Sequence, residues 1–166
     1  EDAQLAWLVR VWDQPKWHEV VLAWFSVRGA EQGKGATQRA INRLKDSAIS
    51  PWARLQLLCL RTELAANELG LSPREARTTI DEATVQVETS PFPELRRALA
   101  RQIALGLRSP SIASLCESHI ANWVPARPEW SRSSLLEALG NWKASDDLLH
   151  TLKLALHDES GRCRRA

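Results

Sequence analysis

Histidine occurs at 18, 119, 150 and 157 and cysteine at 59, 116 and 163. Structural or catalytic zinc needs several such donors converging at short, characteristic spacings. No two of the histidines are spaced as a short ligating pair, so no metal site is expected. The stretch Gly33-Lys34-Gly35 is too short for a phosphate-binding P-loop, and nothing strand-like precedes it. A Gly-x-Ser-x-Gly nucleophile elbow and a spaced pair of catalytic carboxylates are also missing. Cys59 and Cys116 stand among apolar residues at helical spacing, where a thiol acts as a small inert hydrophobe. These residues give the chain no catalytic group, no metal and no cofactor, and the sequence reads as that of a non-enzyme.

The elements that would carry any site come from the rest of the pattern. The 166 residues are 44% hydrophobic and 25% charged, the balance of an ordinary folded protein of one domain. The most apolar segments, Val20 to Phe25 and Leu55 to Leu60, fall well short of the roughly 18 apolar residues a membrane span requires. A net charge of +2 is too small to demand nucleic acid as a partner. Three widely spaced cysteines suit free thiols in a reducing compartment, and with no basic, apolar leader at the start the expectation is a cytoplasmic protein. The lack of Met and Tyr beside eight Trp has no physical explanation in the sequence, although it fits a GC-rich, bacterial source.

Prolines at 15, 51, 91 and 128 are each followed within two residues by an aromatic, Trp17, Trp52, Phe92 and Trp130, at steps of 36, 40 and 37. That period marks stacked helical hairpins. Proline fits the first turn of a helix, where its missing N–H has no partner in any case, and Ser50 or Ser90 before it is a good N-cap. The aromatic is then expected to begin the buried face. Internal breaks recur at Leu69-Gly70-Leu71-Ser72-Pro73, Leu105-Gly106-Leu107-Arg108-Ser109-Pro110 and Leu139-Gly140-Asn141. Each predicts a helix closed by a left-handed glycine, with Ser starting the next helix.

The helix from Pro51 to Leu69 carries only a narrow polar stripe, so neighbours should cover it on more than one side. Pro73 to Val87 has a thinner seam of Ala76, Ile80, Ala83 and Val87 and reads as an outer helix. Ile112, Leu115, Cys116, His119, Ile120 and Trp123 form one helical face. Earlier in the chain, helices are expected around Leu5–Trp12, Trp17–Val27 and Thr37–Ile49, with residues 29–35 as a flexible three-glycine turn. No β alternation is found. The fold class is therefore all α, a right-handed solenoid of antiparallel hairpins in about four units. Irregular helices would occupy 1–49, with units at about 50–89, 90–126 and 127–157 and a further one opening at 158–166. The whole would be part of a larger protein.

Leu136-Glu137-Ala138-Leu139-Gly140, the Leu-rich run from Leu148 to Leu156, and Asp158-Glu159-Ser160-Gly161-Arg162-Cys163-Arg164-Arg165-Ala166 resemble a HEAT-type repeat unit. Such a unit closes its first helix on Ala-Leu-Gly and opens the next after an acidic turn. Residues 90–105 resemble a HEAT first helix. The match is best over 90–166, looser over 50–89, and limited to spacing before that; tetratricopeptide and armadillo units have related periods. The resemblance implies a curved scaffold that binds a protein, or sometimes nucleic acid, and performs no chemistry itself. His18-Glu19 is a single example of the His-Glu pairs that HEAT-type iron hydroxylases carry several times, so that activity is not implied.

The binding candidates are Arg96, Arg97 and Arg101 on one helix, with Arg132, Trp130 and Trp142 in the following unit. Aligned across repeats, and joined by Arg127, Arg162, Arg164 and Arg165, they would form a basic strip for an acidic protein or for phosphates. The competing expectation is that these arginines pair with Glu94, Glu129, Glu137, Asp158 and Glu159 as braces between units. Trp7, Trp12, Trp17 and Trp24 cannot all be buried by one seam, which leaves room for one exposed at an interface, but the expectation is packing in the core or against a neighbouring unit. The final Arg164-Arg165-Ala166 lacks the polar cap of a terminal repeat, from which self-association through that end is expected.

Overall fold

The computed structural model describes residues 2–123 together with 132, 133, 136, 153, 156–159 and 161. Among the described residues there are seven α-helices and no strand: α1 (Asp2–Val11), α2 (His18–Gln32), α3 (Lys34–Ser47), α4 (Pro51–Ala66), α5 (Pro73–Thr89), α6 (Pro93–Leu105) and α7 (Ala113–Trp123). Short 3-10 helices at Pro15–Trp17 and Gly106–Arg108 lead into α2 and out of α6. No described helix is long and apolar enough to cross a membrane.

The helix starts follow from capping chemistry. Ser50 accepts a hydrogen bond from the Ala53 N–H at 3.0 Å, with Pro51 in the first turn. At α5 the arrangement is reciprocal: Ser72 Oγ accepts from the Glu75 N–H at 3.3 Å, and Glu75 Oε2 accepts from the Ser72 N–H at 2.9 Å. Two otherwise unpaired N–H groups are satisfied, and Pro73 contributes none. The third start departs from expectation. Ser90 ends α5, and Pro93 rather than Pro91 opens α6, with Phe92 in the N-cap position and no side-chain cap.

Glycines also depart from the sequence reading. Helix α2 runs through Gly29 to Gln32, so the expected loop over 29–35 shrinks to Gly33, whose φ of 74° both ends α2 and starts α3. After α4 the chain turns through Glu68 and Gly70, at φ 57° and 72°. Gly70 thus takes the left-handed conformation expected of it. Gly106 does not: its φ is −59°, and space is what it supplies, since a Cβ there would lie 2.6 Å from Cys116 Sγ. Gly140 lies outside the described residues.

Helix α4 is the middle of the assembly. It packs against α5 and α6 along its length and touches α3, and it buries Leu55, Leu57, Leu58, Leu60, Thr62, Leu64, Ala65 and Ala66. The narrow polar stripe is the sequence trace of that position. The expected seam of α5, Ala76, Ile80, Ala83 and Val87, is buried throughout, as are Ile112, Cys116 and Ile120 at the α7 end. The side chain of Trp123 lies outside the described residues.

Trp12 is buried and Trp7, Trp17 and Trp24 are half-buried, because three elements share them: Trp7 of α1 meets Trp17 edge-on at 5.9 Å, and Arg28 lies over Trp24. Among the described residues the exposed tryptophan is Trp52, at 39% exposure, which does not begin a buried face. Its ring meets Phe92 edge-to-face at 5.0 Å, so equivalent positions one period apart touch directly.

The two turns 41 residues apart are also joined. Glu68 accepts from the Ser109 hydroxyl at 2.7 Å and from the Ser111 N–H at 3.3 Å. These bonds, Ser109 foremost, hold the Glu68 carboxyl below its ordinary pKa of 4.5. A lowered folded-state pKa contributes stability that is complete above the unfolded value and drains away as pH falls through the folded one. The urea midpoint of the wild type should therefore exceed that of Glu68→Gln at pH 7, with the gap closing below pH 4.5; an unchanged gap at pH 3 would refute the linkage.

Candidate binding groove

A groove of about 1010 Å³ lies between α3, α4 and α5. Its floor is apolar: Leu55 and Leu58 of α4, with Ala48 after α3. Thr78, Asp81, Glu82, Val85 and Gln86 of α5 form one wall, and Pro91 and Phe92 close one end. The cause lies in the packing. Helix α5 is docked on α4, α6 and α7, whereas α3 packs mainly on α1 and α2 and touches α4 less. The strip between α3 and α5 is left open.

That opening explains an outward-facing apolar residue on α5. Val85 lies off the buried seam and is 54% exposed, and it lines the groove. Ile49, at 80% exposure, precedes α4 beside it in sequence. Exposed apolar residues grouped around a cleft mark an interaction surface more often than residues scattered singly.

The charges of the groove are unevenly spread. At the end where α4 finishes its third turn, Arg61 pairs with Glu82 at 2.7 Å and donates to Thr79 at 3.0 Å. Asp81 pairs with His119 of α7 at 2.8 Å. Near the start of α4, Arg54 donates only to the Ala48 carbonyl, at 3.3 Å, and among the described residues neither it nor Lys45 meets a carboxylate.

No family model, curated protein or solved structure matches this chain. The groove must therefore be read from its own geometry.

The candidates expected from sequence are placed as follows. Arg97 and Arg101 lie one turn apart on the exposed side of α6, and Arg96, on the next face, is half-buried. Arg132 is engaged with Asp158 through two bonds of 2.8 Å, with both side chains largely buried. Such a forked pair is a brace of the kind weighed against a basic strip. Trp130, Trp142, Arg127, Arg162, Arg164 and Arg165 lie outside the described residues.

The reactive residues are not drawn together. Cys116 is fully buried and Cys59 half-buried, and burial pushes both thiols up to about 12, far from the thiolate a nucleophile needs. His119 is only three residues from Cys116, yet its Nε2 turns to Asp81. His18 Nε2 instead meets Glu63 of α4 at 2.9 Å, tying α2 to α4. Among the described residues no three His, Cys, Asp or Glu side chains converge as metal ligands do.

The candidates expected from sequence lie within residues 96–142, whereas the groove is lined by residues from 45 to 92. A signal was present in Val85, an apolar residue off the α5 seam, and in the apolar circumference of α4, which is wider than two neighbours can cover.

Proposed function

We propose that this protein is a non-catalytic interaction scaffold of HEAT-like stacked hairpins, with the α3–α4–α5 groove as its binding surface for another protein. The observation that carries the reading is the groove itself: an open apolar floor with an exposed valine, rimmed by charge. Two features support the repeat arrangement, the contact between Trp52 and Phe92 one period apart and the packing of α4 on α6, the first helices of successive hairpins. Binding would come from desolvating a few apolar anchors while the charged rim sets orientation. Fully burying one valine-sized side chain contributes on the order of 1.5–3 kcal/mol.

Placing a photo-crosslinking residue at Val85, and separately at the exposed Arg77 of α5 as a control, tests the reading in an extract of the source cells. A discrete adduct at Val85 and none at Arg77 is expected. The captured protein, once purified, should bind wild type at least tenfold more tightly than Val85→Asp. Identical adducts at both positions would sink the reading.

The exposed pair Arg97 and Arg101, which meets no carboxylate among the described residues, supports a second reading in which the chain binds nucleic-acid phosphates through α6. A steep salt dependence of RNA or DNA binding, lost in Arg97→Ala/Arg101→Ala, would establish it.

A further inference from the structure

Resting on the groove as the binding surface, we propose that its occupant is an amphipathic helix with carboxylates in its first turn, seated over Lys45 and Arg54. The form of the occupant follows from the floor. Leu55, Leu58 and Ala48 offer apolar surface, so a segment lying there must satisfy its own N–H and C=O groups, as a helix does and an extended strand does not. The α4 face of the groove extends from Pro51 to Arg61, about 15 Å at the helical rise, which matches three turns of a partner helix.

Charge fixes the direction. Three cations and two carboxylates line the groove; Glu82 is ion-paired with Arg61, and Asp81 lies 2.8 Å from His119 Nε2. Among the described residues the groove cations that meet no carboxylate are Lys45 and Arg54, which line the groove near the start of α4, while both carboxylates belong to the other end. Carboxylates at the start of the incoming helix would meet Lys45 and Arg54 and complement that helix's own positive N-terminus. The occupant then runs in the same direction as α4, with its C-terminal turns over the neutralised end.

The experiment uses fluorescein-labelled 16-residue amphipathic peptides with leucines at i, i+3, i+4 and i+7, carrying either two Glu or two Lys in the first turn. Anisotropy titrations with the full chain should show the Glu peptide binding about fivefold more tightly than the Lys peptide, an advantage that shrinks in high salt. Lys45→Glu/Arg54→Glu should reverse the preference, and Lys45→Gln/Arg54→Gln should abolish it. Both cations are exposed, so the helical circular dichroism of the variants should match wild type. Equal affinities unaffected by either variant would overturn the charge rule and leave an apolar groove in place. If neither peptide binds while crosslinking at Val85 still captures its protein, the helical occupant is wrong and the interaction scaffold stands. Preferential binding of a 12-nucleotide RNA, lost on charge reversal, would overturn the proposal in favour of nucleic acid.

Discussion

Replacing Gly70 with alanine lowers the free energy of unfolding by about 2–5 kcal/mol, read from urea denaturation. Two costs combine. The residue is held at φ 72°, where a Cβ costs an L-residue roughly 1–2 kcal/mol. The new methyl would also lie 2.4 Å from Thr37 Oγ1 and 3.2 Å from Thr37 Cβ, an overpacking that costs about 1–3 kcal/mol. Thr37 is fully buried in α3, and its hydroxyl has no hydrogen-bond partner among the described residues. On the other side, a Cβ on Gly29 would come within 2.9 Å of Gly70 Cα, so the turn cannot back away. In a Thr37→Ala background the steric part should largely vanish, so that the double mutant loses less than the sum of the singles. Strict additivity would show that the backbone conformation alone carries the cost.

The second large effect is expected at Leu64, fully buried near the end of α4. Leu64→Ala should cost about 3 kcal/mol, from lost transfer energy plus the cavity that close neighbours leave unfilled. For a chain of this size that lowers the melting temperature by about 10 °C in calorimetry. Val85→Ala removes carbon from a residue that is 54% exposed and should stay within about 0.5 kcal/mol of wild type. Comparable losses at the two sites would mean that Val85 is covered, and the groove would lose its apolar wall.

The buried seams were readable in the sequence because their cause is local. Ala76, Ile80, Ala83 and Val87 repeat at helical spacing, and the Ser72-Pro73 and Ser50-Pro51 starts carry their own capping chemistry. What depended on the third dimension was not readable. Gly106 resembles a helix terminator, yet it is small because Cys116 approaches from another helix. The residues at 29–35 resemble a loop, but packing on neighbouring helices outweighs the helix-breaking cost of Gly29. The four early tryptophans are too many for one seam, and what the spacing did not show is that α1, α2 and the 3-10 helix between them cover each other. The groove arises from a strip that α3 does not fill, and no short pattern encodes an absence.

The placement of α4 gives the groove a further role. Among the described residues, three ties from α1–α3 toward the second half of the molecule end on α4 or the turn after it: His18 on Glu63, Ala48 on Arg54, and Gly29 and Thr37 on Gly70. Helices α5 and α6 dock on the same helix. Among the described residues α4 is thus the element shared by α1–α3 and by α5–α6, inside one continuous apolar core, and the groove has α3 on one lip and α5 on the other. A segment seated there would brace one lip against the other, and any displacement of α3 relative to α5 would then be felt as a change in its grip.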